Sequence, residues 1–245
     1  MGGFADAQPG EQVLAILGFH KIGGPPAGCV DTWFYVSEAT FSGLLSRLQE
    51  NAWHVIDLQT FLVGLAAPAS LPRRSVLLTF DDGYQSMRQV ALPWLLRFGY
   101  PGLLFVPTDF IGKSNEFDAG VEPPEAICDW DDLRELERQG VSVQSHGASH
   151  RRFSELASAE LEAELRRSKA TLEAGLGKPV EVIAYPFGDS GVNQQAVERA
   201  LERTGYRAAC LYRGGPNRLP IANPYRLARL AIGPDTNLQA VLEGG

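Results

Sequence analysis

Short apolar runs and amphipathic stretches alternate along nearly the whole chain. Val13-Leu14-Ala15-Ile16-Leu17 is the first apolar run, short enough to predict a buried strand rather than a helix. Phe41, Leu44, Leu45 and Leu48 then recur at i, i+3, i+4 and i+7. That spacing predicts a helix over 37–51 with one buried stripe. A short strand at Val55-Ile56 leads to Asp57, a capping residue for a helix over 58–65. The run Val76-Leu77-Leu78 predicts another buried strand, followed by a helix over 85–98.

The alternation continues with a strand at 102–106 stopped by Pro107 and a helix over 129–139 stopped by Gly140. A strand at 141–144 precedes the longest helix, over 157–176, with Leu161, Leu165 and Leu172 on one stripe. A strand at 180–184, a helix over 193–204 and strands at 207–211 and 227–232 complete the series. Strands this short and apolar, each followed by a helix, predict parallel βαβ units rather than a sandwich. The expected fold is therefore α/β, a distorted (β/α) barrel of about seven parallel strands. It forms a single domain over 13–245, behind a disordered lead at 1–12, with no internal repeat or linker.

Composition narrows the functional classes. With 245 residues, 44% hydrophobic and 21% charged, the chain can bury a sizeable core without disulfide staples. Its net charge of −7, without a Lys/Arg-dense run, gives no electrostatic support for nucleic-acid binding. Cys29, Cys128 and Cys210 are far apart and form no CxxC pair, which argues against a thiolate metal site or a disulfide framework. No apolar stretch approaches the length of a transmembrane helix. The start MGGFADAQPGEQ lacks the basic and apolar segments of a signal peptide. The expected location is the cytoplasm, or outside the cell if an export signal has been removed. Oligomeric state is not legible.

Candidate chemistry collects where predicted strands end, the place where α/β folds gather their sites. The strand before Asp81-Asp82-Gly83 delivers two adjacent carboxylates, which repel each other unless a cation or a shared proton relieves them. An ordinary strand-to-helix turn is the competing reading. The strand at 141–144 empties into Ser145-His146-Gly147-Ala148-Ser149-His150, holding two of the four histidines. One helical turn would put His146 and His150 on the same face. Two imidazoles and one carboxylate make a catalytic zinc set with a position left for water. Tyr185-Pro186-Phe187-Gly188 follows a third strand. It reads as a tight loop whose backbone N–H groups face the site, or as a turn with aromatic packing. Trp130 reads as a helix anchor or as a wall of the same pocket.

Taken in order, TFDDGY (79–84), SHGASH (145–150) and YPFG (185–188) resemble the motifs of polysaccharide deacetylases of the NodB-homology type. HKIG (20–23), FVPTDFIG (105–112) and WDDLRELERQG (130–140) extend the resemblance over about residues 13–233. It implies hydrolysis of N-acetyl, sometimes O-acetyl, groups on a sugar polymer or glycoconjugate. It also implies a divalent metal, zinc first, with cobalt, nickel or manganese as alternatives. Asp82, His146 and His150 match the family's metal ligands, Asp81 its general base, and Phe187 is the candidate for the oxyanion-binding N–H. Tyr185 and Trp130 become candidate substrate contacts. The loops at 23–36 and 108–127 become candidate groove walls, with Trp33, Phe34, Tyr35 and Phe110 available to stack on sugars or to pack the core.

Three departures stand out. Gly147 replaces the usual Ser or Thr that supports the histidine loop. Ala184 stands where an Arg often orients the base; Arg229 is a candidate replacement or a surface charge. No histidine follows His150 to act as general acid. The HKIG start resembles a subgroup in which an N-terminal strand supplies that histidine, making His20 the candidate proton donor, or else a structural residue at the barrel rim. The other readings are an amidohydrolase of the same family acting on a small non-sugar amide, and a catalytically silent carbohydrate-binding barrel.

Overall fold

The computed structural model describes residues 12–237, so the expected lead lies outside the described residues except for Gln12. Seven parallel strands curl into an incomplete barrel, in the order β11, β1, β5, β6, β7, β8, β9. These are β1 (Val13–Phe19), β5 (Ser75–Phe80), β6 (Gly102–Val106), β7 (Val141–Ser145), β8 (Val182–Ala184), β9 (Ala208–Cys210) and β11 (Leu230–Ala231). Two short strands, β2 (Lys21–Ile22) and β3 (Tyr35–Val36), pair with each other outside the main sheet. β4 (His54–Val55) lies beside β5, and β10 (Asn217–Arg218) runs antiparallel to the start of β1. The seam is closed by one stretch of chain. Leu227 bridges Cys210 of β9, and three residues later Leu230 pairs with Leu17 of β1.

The alternation of side chains along each strand divides the core. Leu14, Ile16, Leu77, Leu103, Phe105, Val182 and Ala208 face inward, and α2 (Leu58–Ala66) adds Leu58, Phe61 and Leu62 to that cluster. Ala15, Leu17, Val76, Leu78, Leu104 and Val143 face outward beneath the helices. These helices are α1 (Glu38–Glu50), α3 (Leu92–Phe98), α4 (Trp130–Arg138), α5 (Ser158–Leu176) and α6 (Gln194–Thr204). Polar caps set their starts: Asp57 accepts from the Thr60 N–H at 2.7 Å, and Asp129 forms a capping box with Asp132.

Two expectations need correction. The helix expected over 85–98 is not uniform, because Met87–Ala91 forms a π turn before α3. Pro93 has no N–H for the carbonyl four residues back, and the helix widens just before it. The final strand is shorter than expected, since the stretch from Leu227 splits its pairing between the two edges of the barrel.

Candidate active site

β5 ends in a reversal that sends its two carboxylates to different neighbours. Asp82 and Gly83 both adopt left-handed conformations, with φ of 69° and 77°. A left-handed Asp costs on the order of 1–2 kcal/mol, so surrounding contacts must hold it there. A Cβ on Gly83 would also press Val106 at 3.2 Å. The two acids, adjacent in sequence, are both buried and have unlike partners.

Asp81 meets Arg229 in a two-pronged ion pair, Oδ1 to Nη1 at 2.6 Å and Oδ2 to Nη2 at 2.7 Å. Arg229 is fully buried and donates further to the Leu211 carbonyl at 2.6 Å and to Thr79 Oγ1 at 3.2 Å. It is carried by the seam-closing stretch, which turns it into the barrel. The alternative of a surface charge is therefore excluded. Burial pushes the Asp81 carboxyl up, but the Arg229 charge and hydrogen bonds, together with the nearby His146 and His20, hold the group below the usual carboxylate range.

Asp82 faces histidines instead. Its Oδ1 lies 3.3 Å from His146 Nε2 and 3.1 Å from His150 Nε2, and its Oδ2 lies 3.8 Å from His20 Nε2. His146 Nδ1 donates to the Ala184 carbonyl at 2.8 Å, which aims Nε2 at Asp82 and, in the neutral ring, leaves the lone pair there. Asp82 Oδ1 is buried and has no hydrogen-bond partner among the described residues. Three ligand atoms, one from each residue, lie within 4.8 Å of one another. Lone pairs converging this closely on one buried point fit a divalent cation. Burial opposes ionisation of Asp82, yet the neighbouring imidazoles keep its carboxyl well below the ordinary range.

The histidines do not come together on a helical turn as the spacing suggested. His146 to His150 is a tight loop with left-handed Gly147 (φ 76°) and His150 (φ 56°). Its Ala148 and Ser149 N–H groups are held by a carboxylate from α5 at 2.8 and 2.6 Å instead of by a helical ladder.

A cavity of about 480 Å³ opens over these groups. His20 forms part of its wall, T-stacked on Tyr212 with Nδ1 3.0 Å from the Tyr212 hydroxyl. Burial lowers the His20 pKa, only partly offset by Asp82. Phe34, Phe117 and Phe187 supply aromatic faces, and Phe187 sits at a left-handed φ of 58°. An adjoining groove of about 500 Å³ shares Phe117, Arg152 and Phe187 and adds Phe110.

Tyr185 and Trp130 are not on these walls. Tyr185 is buried, donates its hydroxyl to the Tyr225 carbonyl at 2.9 Å and packs edge-on against Phe153. Trp130 lies against Gly175 of α5, so tightly that a Cβ there would meet its ring at 2.1 Å. Both are packing residues. Of the other groove aromatics, Tyr35 is buried and its hydroxyl pairs with Glu125, while Trp33 packs against Phe34.

Several wall residues escaped the sequence reading: Tyr212, Phe117, Asp118, Glu122, Arg152 and Arg213. Phe117, Asp118 and Glu122 lie in the loop at 108–127 expected to wall the groove, and Tyr212 follows the end of β9, so these had a readable signal of place though not of identity. Burial and the nearby Asp82 charge push Asp118 up to about 6. Glu122 is neutralised by the buried Lys21 at 2.8 Å.

The curled parallel barrel gathers two imidazoles and two unlike carboxylates at its strand ends, where α/β folds collect their active sites. A sequence profile of polysaccharide deacetylases matches residues 69–209, and the chain belongs to that family. YxkH of Bacillus subtilis, named for the same family, is 24% identical over 194 residues, covering 79% of this chain and 62% of its own length. The poly-beta-1,6-N-acetyl-D-glucosamine N-deacetylase of Staphylococcus aureus is 24% identical over 164 residues, covering 63% and 54%. The chain thus spans less than two thirds of the length of these relatives. Among solved structures, the deacetylase PplD of Streptococcus pyogenes in complex with acetate superposes with a TM-score of 0.81 at 20% identity, covering 95% of this chain and 99% of that one. IcaB from Ammonifex degensii gives 0.78 at 23% identity, covering 94% and 96%. Both show the same fold. No helix among the described residues is long and apolar enough to cross a membrane.

Proposed function

We propose that the chain is a divalent-metal-dependent deacetylase that removes N-acetyl groups from an amino-sugar polymer or glycoconjugate. The observation that carries this reading is the split of Asp81 and Asp82. One is saturated by Arg229, and the other shares a buried point with two imidazole nitrogens. The family and its relatives, one named for action on poly-beta-1,6-N-acetyl-D-glucosamine, support the substrate class.

Asp82, His146 and His150 would hold the cation, zinc by the chemistry of the donors. When bound, it supplies Lewis acidity that makes a water acidic and polarises the acetyl carbonyl. Asp81 takes the water's proton as the oxygen attacks the carbonyl carbon. A carboxylate held this low is a weak base by itself, so it depends on an acidified water and on the orientation that Arg229 imposes. The oxyanion forms against the Phe187 turn, whose backbone N–H we assign as a donor. His20, on the other oxygen of Asp82, gives its proton to the leaving nitrogen as the C–N bond breaks, releasing acetate and the amine.

The test is acetate release from N-acetylated glucosamine oligomers before and after chelation. Activity that disappears with chelator and returns with Zn²⁺ is expected. Activity indifferent to chelation would sink the metal reading. No release from any acetylated sugar by the metal-loaded protein would sink the substrate reading.

A further inference from the structure

We infer that Glu164, on helix α5, is the positioning residue that shapes the histidine loop for metal binding, in place of the loop hydroxyl that Gly147 lacks. The inference rests on the metal site proposed above. Glu164 is 5% exposed, a rare state for a carboxylate without a reason. Its Oε1 accepts three hydrogen bonds from the loop: the Ala148 N–H at 2.8 Å, the Ser149 N–H at 2.6 Å and Ser149 Oγ at 2.9 Å. Its Oε2 takes a longer contact from Arg167 at 3.4 Å. The two N–H groups belong to the residues between the metal-facing histidines, so the carboxylate satisfies donors that a single helical turn would leave unpaired.

The position of Gly147 follows from the same contact. A Cβ there would lie 3.2 Å from Glu164 Oε1, and φ is 76°. The space a loop Ser or Thr side chain would use is occupied from α5. Ser168, one turn further along α5, completes the support by donating to the Gly147 carbonyl at 2.8 Å and meeting Ser145 Oγ at 2.7 Å. Ser145 Oγ in turn accepts from the Gly147 N–H at 3.1 Å. The loop is thereby held from α5 through its N–H groups and the Gly147 carbonyl, while the Thr108 and Asp109 N–H groups donate to the Gly147 and Ala148 carbonyls at 3.2 and 2.9 Å, and His150 is held at a left-handed φ of 56°. His150 needs this more than His146 does. Its Nδ1 is buried with no hydrogen-bond partner among the described residues, whereas the His146 ring is oriented by Ala184. The backbone around His150 must therefore supply the orientation that a partner on Nδ1 usually gives.

The experiment is Zn²⁺ affinity, measured by competition with a chromophoric chelator, alongside melting temperature. Glu164→Ala is expected to weaken Zn²⁺ binding by about 10–100-fold, the range typical for loss of a group that orients a ligand. Glu164→Gln, which keeps an oxygen for the three donors, is expected to recover most of that loss. Glu173→Gln is the control: Glu173 lies on the same helix and accepts from the Val180 N–H at 3.0 Å, so it tests α5 without touching the loop. It is expected to leave affinity unchanged. Wild-type affinity in Glu164→Ala, or an equal loss in Glu173→Gln, would overturn the inference. If Glu164→Ala does not fold, Glu164→Asp decides, because the shorter side chain draws the carboxylate away from the three loop donors: weakened Zn²⁺ binding supports the inference and wild-type affinity overturns it. A wild-type protein that binds no Zn²⁺ would instead bring down the proposed metal site, and this inference with it.

Discussion

The Asp81 and Asp82 sides of the cavity are one peptide bond apart, yet they solve burial of a carboxylate in opposite ways. On the Asp81 side every charge is matched: Arg229 gives both oxygens a hydrogen bond and spends its remaining reach on Leu211 and Thr79. On the Asp82 side the nearest groups are imidazole nitrogens, and a buried oxygen finds no hydrogen bond among the described residues. The first arrangement is complete as it stands and can serve as a fixed, ionised base. The second presents a buried oxygen and two imidazole nitrogens to one point, which suits the cation proposed above. One left-handed residue at the strand end is what lets a single dipeptide serve both.

The largest effects are expected from the Asp82 side. Asp82→Ala, His146→Ala and His150→Ala are each expected to lose bound metal, read by elemental analysis, and with it all measurable acetate release. Asp81→Asn is expected to keep the metal and lose turnover by about 10²–10⁴-fold, the range for removal of a general base. Metal loss in Asp81→Asn, or retained turnover, would erase the distinction between the two acids.

Arg229→Gln probes the saturated side through its stability. Removing one partner of a buried pair typically costs about 3–5 kcal/mol, because the Asp81 charge is left without a counter-ion. The pH dependence follows from the sign of the Asp81 shift. A carboxyl held below its unfolded value stabilises the fold above the ordinary carboxylate range, and the contribution is lost as pH falls through the lowered value. Arg229→Gln is expected to remove that contribution. Acid unfolding should then begin at a higher pH, as monitored by circular dichroism. The base should also become active only at higher pH. Unchanged acid unfolding would show that Arg229 does not hold Asp81.

The sequence carried the barrel because its signals are local. Periodicity, caps such as Asp57, and stops such as Gly140 act within a few residues of the elements they define. Asp81, Asp82, His146 and His150 were legible for a related reason, since each motif directly follows an apolar strand. Glu164 was hidden, being one acid among many on an amphipathic helix until the loop is folded against it. Arg229 could be named but not placed, because its burial depends on a seam closed by two short pairings far apart in sequence. Trp130 and Tyr185 misled for the opposite reason. Aromatics beside a motif suggest a pocket wall, and here their neighbours are Gly175 and Phe153.

The smallest expected effect lies where the two sides meet. Tyr212 places its hydroxyl 3.0 Å from His20 Nδ1, and its ring centroid lies 5.2 Å from the Arg229 guanidinium carbon. It therefore touches the proton donor proposed beside Asp82 and the partner of Asp81. His20→Asn is expected to lower kcat and to abolish the fall in activity as pH rises, since the acid works only while protonated. Tyr212→Phe keeps the ring and removes only the hydroxyl, so His20 remains in place with one tether fewer. A single hydrogen bond is worth about 0.5–1.5 kcal/mol, which converts to a loss of about two- to tenfold in kcat/KM. The basic limb should persist in Tyr212→Phe, with its midpoint displaced from that of the wild type. If the midpoint does not move, the hydroxyl does not act on His20, and Tyr212 serves the Arg229 side alone.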